Sequence, residues 1–307
     1  MSDLRFDKRV AVITGAGRGL GRAYAQLLAA NGARVVVNDT GSSLQGQGVD
    51  RAPAEAVVQQ IRAAGGEAVG CTDTVATASG GRAIIQCALD HYGRVDVLIH
   101  NAGNVRAASL LEVSDADFDA VVDVHLRGAF NTVRAAFPVM NEAGYGRIVL
   151  TSSIGGLYGN REQVSYAVAK MGVIGLSNVA ALEGAARGIK SNVIVPAAVT
   201  RMAEGIDTSA YPPMDPELVA PAVGWLAHES CSVSGEILIS LAGRVAKAFV
   251  SETRGIYRPA WTMAQIGESM AQIQNAADSK TFPVLPSGFV DHIVYSFSRT
   301  ADTSASR

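Results

Sequence analysis

Tyr166 and Lys170 stand four residues apart in the stretch SYAVAKMG, residues 165–172. On a helix that spacing puts both side chains on one face, where the ammonium can act on the phenol. A free phenol titrates near about 10, too high for a useful base at neutral pH. A neighbouring positive charge favours the phenolate, so the pair suits removal of a proton from a hydroxyl group. Tyrosine and lysine at this spacing are equally at home on a solvated helix face. The elements around them must decide.

Apolar runs rich in valine and isoleucine recur at 10–14, 35–38, 95–100, 147–152, 192–196 and 236–240, with EAVGC at 67–71 as a further candidate. Such runs suit strands buried on both faces. Between them lie stretches of helical length, Leu20–Asn31, Pro53–Ala64, Gly80–Tyr92, Ser114–Glu142, Tyr166–Arg187 and Pro216–His228, several followed by glycine. The alternation predicts an α/β fold, a Rossmann-like doubly wound sheet of seven parallel strands. Residues 40–53, TGSSLQGQGVDRAP, read as a mobile loop after the second strand. Residues 1–245 form the expected main domain. Residues 246–307 form a C-terminal helical extension of that same domain, with one helix expected over Arg258–Ala277.

The first strand runs directly into TGAGRGLG, residues 14–21. Gly15, Gly19 and Gly21, with Arg18 and Leu20 among them, would allow a tight turn and bring a pyrophosphate against free amides at a helix N-terminus. Asp39 closes the second strand about 20 residues on, where a carboxylate accepts hydrogen bonds from the adenosine ribose and repels a 2′-phosphate. This favours NAD over NADP. Arg18 argues the other way, since a guanidinium here could pair with that phosphate.

TGAGRGLG, NAG at 101–103, the serine pair Ser152–Ser153 and YAVAK at 166–170, in that order, make the chain resemble the short-chain dehydrogenase/reductase family over residues 10 to about 240. The resemblance implies one doubly wound domain, a nicotinamide cofactor and a homodimer or homotetramer. It matches Gly15, Gly19 and Gly21 to the family's phosphate loop, and Asp73, beside Thr74 in CTDTV, to its adenine contact. Asn101, Ala102 and Gly103 match the turn along the cofactor. Ser153 falls thirteen residues before Tyr166, the family's catalytic spacing, and Ser152 does not. Ser153 would hydrogen-bond the substrate oxygen, Tyr166 would act as base, and Lys170 would hold the phenolate and bind the nicotinamide ribose.

The chain departs from the family pattern in three places. His125, in VHLRG, stands where the family has a catalytic asparagine; imidazole can hold a relay water as an amide does, or it can simply pack. His100 replaces the first asparagine of the usual Asn-Asn-Ala-Gly. Pro196-Ala197 replaces Pro-Gly, while Val199 and Thr200 keep positions that touch the nicotinamide carboxamide. VVVNDTG, VHLRGAF, GLYGN and WLAHESCSVSGEI are similar to the (3R)-hydroxyacyl-CoA dehydrogenase modules of multifunctional β-oxidation enzymes, and the resemblance extends into the tail. The expectation is a stand-alone relative that oxidises a (3R)-hydroxyacyl-CoA, including steroid-derived or branched acyl chains, with NAD. The alternatives are a dehydrogenase of free steroids or other secondary alcohols, a 3-oxoacyl thioester reductase, and a catalytically silent cofactor sensor.

The composition, 48% hydrophobic and 18% charged with a net charge of −2, supports a sizeable core and gives no basic field for nucleic acid. Cys71, Cys87 and Cys231 form no CxxC motif and read as buried small apolar residues in a reducing compartment. The charged N-terminus lacks the apolar core of a signal peptide, and no apolar run approaches membrane-spanning length. The expected location is the cytoplasm, with no membrane partner and no metal.

Overall fold

The computed structural model describes residues 4–201, 207 and 210–301. Two compact units divide at Lys247/Ala248.

In the first unit, β1 (Val10–Thr14), α1 (Gly19–Ala30), β2 (Arg34–Asn38), α2 (Ala52–Ala63), β3 (Glu67–Cys71), α3 (Ala78–Tyr92) and β4 (Val97–His100) alternate as expected. They are followed by α4 (Asp115–Val122), α5 (Gly128–Ala143), β5 (Gly146–Thr151), α6 (Ile154–Tyr158), α7 (Val164–Gly184), β6 (Ile189–Ala197), α8 (Ala220–Ala227) and β7 (Ile237–Leu241). The sheet order is β3-β2-β1-β4-β5-β6-β7, with every one of these pairs parallel. The sheet carries eight strands rather than seven, because β8 (Arg244–Ala248) adds to the edge beside β7. Ala242 and Gly243, both at positive φ, make the two-residue turn that folds the chain back.

The strand residues alternate between two cores. Ala11, Ile13, Val35, Val37, Val97 and Ile99 face α1, α2 and α8. Val10, Val12, Val36, Leu98, Ile148 and Leu150 face α3, α5 and α7. Both faces are therefore dry, which is why the strands read as unbroken apolar runs. The single helix expected over Ser114–Glu142 is interrupted by a π turn, Asp123–Arg127, that carries His125.

One sequence expectation needs correction here. α7 with the turn after it, Val164–Arg187, is long and apolar enough to cross a membrane by length and composition, with a mean hydropathy of 1.3. Its buried Ala169, Val173, Ile174, Ser177, Ala180 and Ala181 make it a helix of the core. The cysteines also differ from expectation: Cys71 and Cys231 are buried, but Cys87 on α3 is only partly so.

The second unit contains a short antiparallel pair, β9 (Ser251–Glu252) with β10 (Lys280–Thr281), and the helices α9 (Met263–Glu268), α10 (Met270–Ile273) and α11 (Gly288–Ala301). The expected helix from Arg258 begins instead at Thr262, whose side chain and that of Gln265 form a reciprocal cap, and it breaks at Ser269.

Candidate active site

β1 and β4 are neighbours, so the chain leaves the sheet in opposite directions from adjacent strand ends and opens a crevice there. A cavity of about 360 Å³ occupies it, of the size small-molecule sites have. Gly15, Arg18, Gly19, Leu20, Asp39, Asp73, Thr74, Asn101, Ala102, Gly103, His125, Tyr166, Lys170 and Thr200 line it, bringing together residues spread across most of the first unit. Gly21, Ser153, Pro196 and Val199 stand outside that lining.

Gly15 and Gly21 show why the loop is glycine-rich. At Gly15, where φ is +64°, a Cβ would lie 2.8 Å from the Ala102 Cα; at Gly21 it would lie 2.1 Å from the Gly15 carbonyl oxygen. Asn101 Nδ2 donates to that carbonyl at 3.1 Å, and the Asn101 and Ala102 amides donate to Thr14 Oγ1 at 3.1 Å. Loop and turn are thus locked edge to edge. No side chain caps the first turn of α1, so its amides face the crevice. The close backbone approach and free helix amides fit the pyrophosphate of a dinucleotide.

Asp39 accepts from the Gly17 amide at 2.8 Å through one oxygen and from the Gly41 amide at 2.7 Å through the other. Each oxygen keeps a lone pair, and the carboxylate stays at the cavity wall. The segment 40–53, expected to be mobile, is hydrogen-bonded within itself, Asp50 N to Thr40 O and Ser43 N to Gln47 O, and receives the Val105 amide on the Leu44 carbonyl. Its Leu44, Gly46 and Val49 line the cavity with Asn104 and Arg201. Sequence reasoning missed these residues; the glycine-bearing loop following Asp39 was the available signal.

Ser152 and Ser153 diverge as their spacing implied. Ser152 is buried and donates to the Lys170 carbonyl at 2.6 Å. Ser153 heads α6, where its hydroxyl accepts from the Gly155 amide at 3.1 Å and interacts with the Tyr166 phenol. The expected effect of Lys170 on that phenol is corrected here. Burial raises Tyr166 above the ordinary phenol value, with Ser153 alone opposing it. Lys170, 3% exposed, donates to the Thr151 carbonyl at 2.7 Å, its ammonium 5.5 Å from the centre of the Tyr166 ring, and burial lowers it to about 7. Desolvation outweighs the charge it could lend the phenol.

His125 packs its ring edge-on to Tyr166, centroids 5.1 Å apart, and against Gly103, where a Cβ would lie 2.5 Å from His125 Cε1. His125 Nε2 lies 2.8 Å from the Asn104 carbonyl oxygen and 3.1 Å from the Asn104 amide nitrogen, so the ring is pinned to that residue's backbone; Nδ1 is buried without a partner. His100 is buried with Nδ1 3.3 Å from both Thr14 Oγ1 and Thr132 Oγ1. Burial and the Lys170 charge lower His100 to about 3 and His125 well below its ordinary value. Of the five histidines, these two are therefore expected to show no imidazole chemical-shift titration between about pH 5 and 8 by NMR. A midpoint in that range for either would refute the assignment.

The family model for short chain dehydrogenases matches residues 9–209. The peroxisomal multifunctional enzyme type 2 of Drosophila melanogaster is 48% identical over 83% of this chain and 43% of its own length, so the chain spans less than half of that relative. A putative short-chain type dehydrogenase/reductase of Mycobacterium tuberculosis is 44% identical over 78% of this chain and 84% of its own length. The crystal structure of a short chain dehydrogenase from Mycobacterium avium superposes with a TM-score of 0.78 at 40% identity, covering 88% of this chain and 96% of that one. With the glycine loop, the Asn101 turn and the Tyr166–Lys170 face all inside the matched region, this chain belongs to the short-chain dehydrogenase family, oxidoreductases that generally use nicotinamide dinucleotides.

Proposed function

We propose that the chain is an NAD-dependent dehydrogenase of secondary alcohols, with a (3R)-hydroxyacyl-CoA as substrate and the 3-oxoacyl-CoA as product. The observation that carries this reading is Tyr166 at the wall of a crevice that also holds the glycine loop and Asp39, with the buried Lys170 ammonium 5.5 Å from its ring centre. Bound dinucleotide supplies the acceptor for the hydride that leaves the carbinol carbon. Tyr166 takes the hydroxyl proton, and Ser153 holds the substrate oxygen while its charge changes. Lys170 places a cation behind the phenol, and Asp39 selects NAD by accepting ribose hydroxyls and repelling a 2′-phosphate. His125 holds the Asn101–Asn104 turn in register against Tyr166. The acyl-CoA assignment draws on the likeness to the peroxisomal enzyme. Val168, Met171, Val179 and Leu182 leave an exposed apolar row on α7, which supports a homodimer or homotetramer.

The test is NADH formation with (3R)- and (3S)-hydroxyacyl-CoAs beside free steroid alcohols. Turnover of the (3R) thioesters with NAD is expected. Activity on the free alcohols alone would sink the acyl-CoA assignment, and tighter binding of NADP than NAD would overturn the role of Asp39.

A further inference from the structure

A second cavity, of about 440 Å³, opens between α2, β3 and α3, and Cys71 and Cys87 both line it. Cys71 ends β3 and is 6% exposed; Cys87 lies on the inner side of α3 and is partly open to solvent. Both residues border this one cavity, while Cys231 belongs to the core on the opposite face of the sheet. Cys71 Sγ also lies 3.4 Å from Asp73 Oδ2, and Cys87 Sγ 3.8 Å from His91 Nδ1.

We propose that Cys71 and Cys87 form a peroxide-sensitive thiol pair, in which Cys87 reacts first and Cys71 resolves it as an internal disulfide. The arrangement separates the two roles. Cys87 is partly open to solvent, and its sulfur lies 3.8 Å from His91 Nδ1 one turn along α3; the neighbouring Cys71 and then His91 hold it below the ordinary thiol value, which favours the thiolate. Cys71 is buried and donates its thiol proton to Asp73 Oδ2 at 3.4 Å; the neighbouring Cys87 and burial push it up, so it keeps that proton. Arg51 and Arg62 line the same cavity and add positive charge around the thiolate, with Glu55 and Asp73 opposing.

The steps balance. The Cys87 thiolate attacks one oxygen of a hydroperoxide; the S–O bond forms, the O–O bond breaks, and the leaving oxygen departs protonated as water or an alcohol. The sulfur is oxidised by two electrons to the sulfenic acid as the peroxide is reduced. Cys71 sulfur then attacks Cys87 sulfur; the S–S bond forms, the S–O bond breaks, and water leaves with the Cys71 proton. A disulfide requires the two sulfurs, on residues that border one cavity, to close to about 2.05 Å.

The pair sits behind the crevice. Asp73 lines both cavities, and Asn38, another residue of the crevice wall, donates to the Cys71 carbonyl at 3.2 Å and the Asp73 carbonyl at 2.9 Å. Pulling Cys71 Sγ toward Cys87 takes it from Asp73 Oδ2, so the disulfide disturbs the adenine end of the crevice. This consequence rests on the proposed function; the thiol chemistry does not.

The purified full chain is treated with one equivalent of hydrogen peroxide, alkylated and digested without reductant for mass spectrometry. The expected product is a linked peptide pair containing Cys71 and Cys87, lighter by two hydrogens and released by dithiothreitol, with Cys231 alkylated. Cys71→Ser should stop at the sulfenic acid and give a dimedone adduct on Cys87, and Cys87→Ala should give neither. A disulfide involving Cys231, a disulfide between two copies, or Cys87 still alkylated after peroxide would overturn the proposal. NADH is expected to bind the disulfide form about tenfold more weakly, a loss equivalent to about 1.4 kcal/mol. Equal affinity for both forms would refute the link to the crevice. Failure of the reduced protein to bind NADH would refute the cofactor reading while the linked peptide stood.

Discussion

Tyr166→Phe is expected to lower turnover by about 10³-fold while NADH binds within about twofold of the parent protein, because general acid–base catalysis contributes about 10² to 10⁴ and the ring keeps its place without the hydroxyl. The packing argues for this separation. The Tyr166 ring is held edge-on by His125 at 5.1 Å, and phenylalanine preserves that contact. The phenol oxygen is the atom removed, and with it the partner of Ser153. Among the described residues the neighbouring groups are not placed to substitute: Lys170 is committed to the Thr151 carbonyl, and both nearby histidines have their basicity suppressed by burial. Steady-state rates with fluorescence titration of NADH check the prediction. Retained turnover would refute the role of the phenol, and lost NADH binding would mark it as a wall of the crevice instead.

Lys170→Met is expected to lower turnover by about 10²- to 10³-fold and yet to make the protein more stable at pH 7, by about 2 kcal/mol. Burial lowers the folded-state value of Lys170 to about 7, against about 10.4 in an unfolded chain. Unfolding therefore takes up a proton between these values. The buried ammonium costs stability in full below about pH 7, and the cost fades as pH rises toward the unfolded value. At about 1.36 kcal/mol per unit the gross cost at pH 7 is about 4 kcal/mol. The methionine strands the Thr151 carbonyl that Lys170 Nζ reaches at 2.7 Å, a loss of about 1–3 kcal/mol. The difference leaves a gain of about 2 kcal/mol that should shrink as pH rises toward 9.5. Urea unfolding of both proteins at pH 7 and 9.5 measures it. A variant less stable at both values would show that burial of the ammonium is not the cost argued here.

The alternation of strands and helices was legible because both faces of the sheet are buried, so the strands are mostly apolar and their few polar residues, such as Thr14, Asn38 and His100, are hydrogen-bonded. The glycine loop and Asp39 were legible for a related reason. At Gly15 and Gly21 a Cβ has no room, so the backbone requirement is written directly into residue type. The edge strand β8 was not legible: three of its five residues are exposed, and its pairing depends on the turn at Ala242–Gly243 rather than on an apolar run. The start of α9 at Thr262 was settled by a local cap, which outweighed the apolar spacing that suggested a longer helix.

The sequence by itself determined which residues could do the chemistry, because short contacts and helical spacing are local: Tyr166 and Lys170 four apart, Ser153 on the strand end before them, the glycines at the head of α1. Only the tertiary structure decided how these groups are charged. The Coulomb attraction between an ammonium and a phenol is visible in their spacing, but the desolvation that opposes it depends on what packs around them from β5, α6 and the more distant π turn. Burial raises Tyr166, lowers Lys170 and neutralises His100 and His125. The same holds for Cys71 and Cys87, sixteen residues apart and unremarkable in sequence, which a strand and the helix after it bring to one cavity because the right-handed crossover lays α3 back across the sheet.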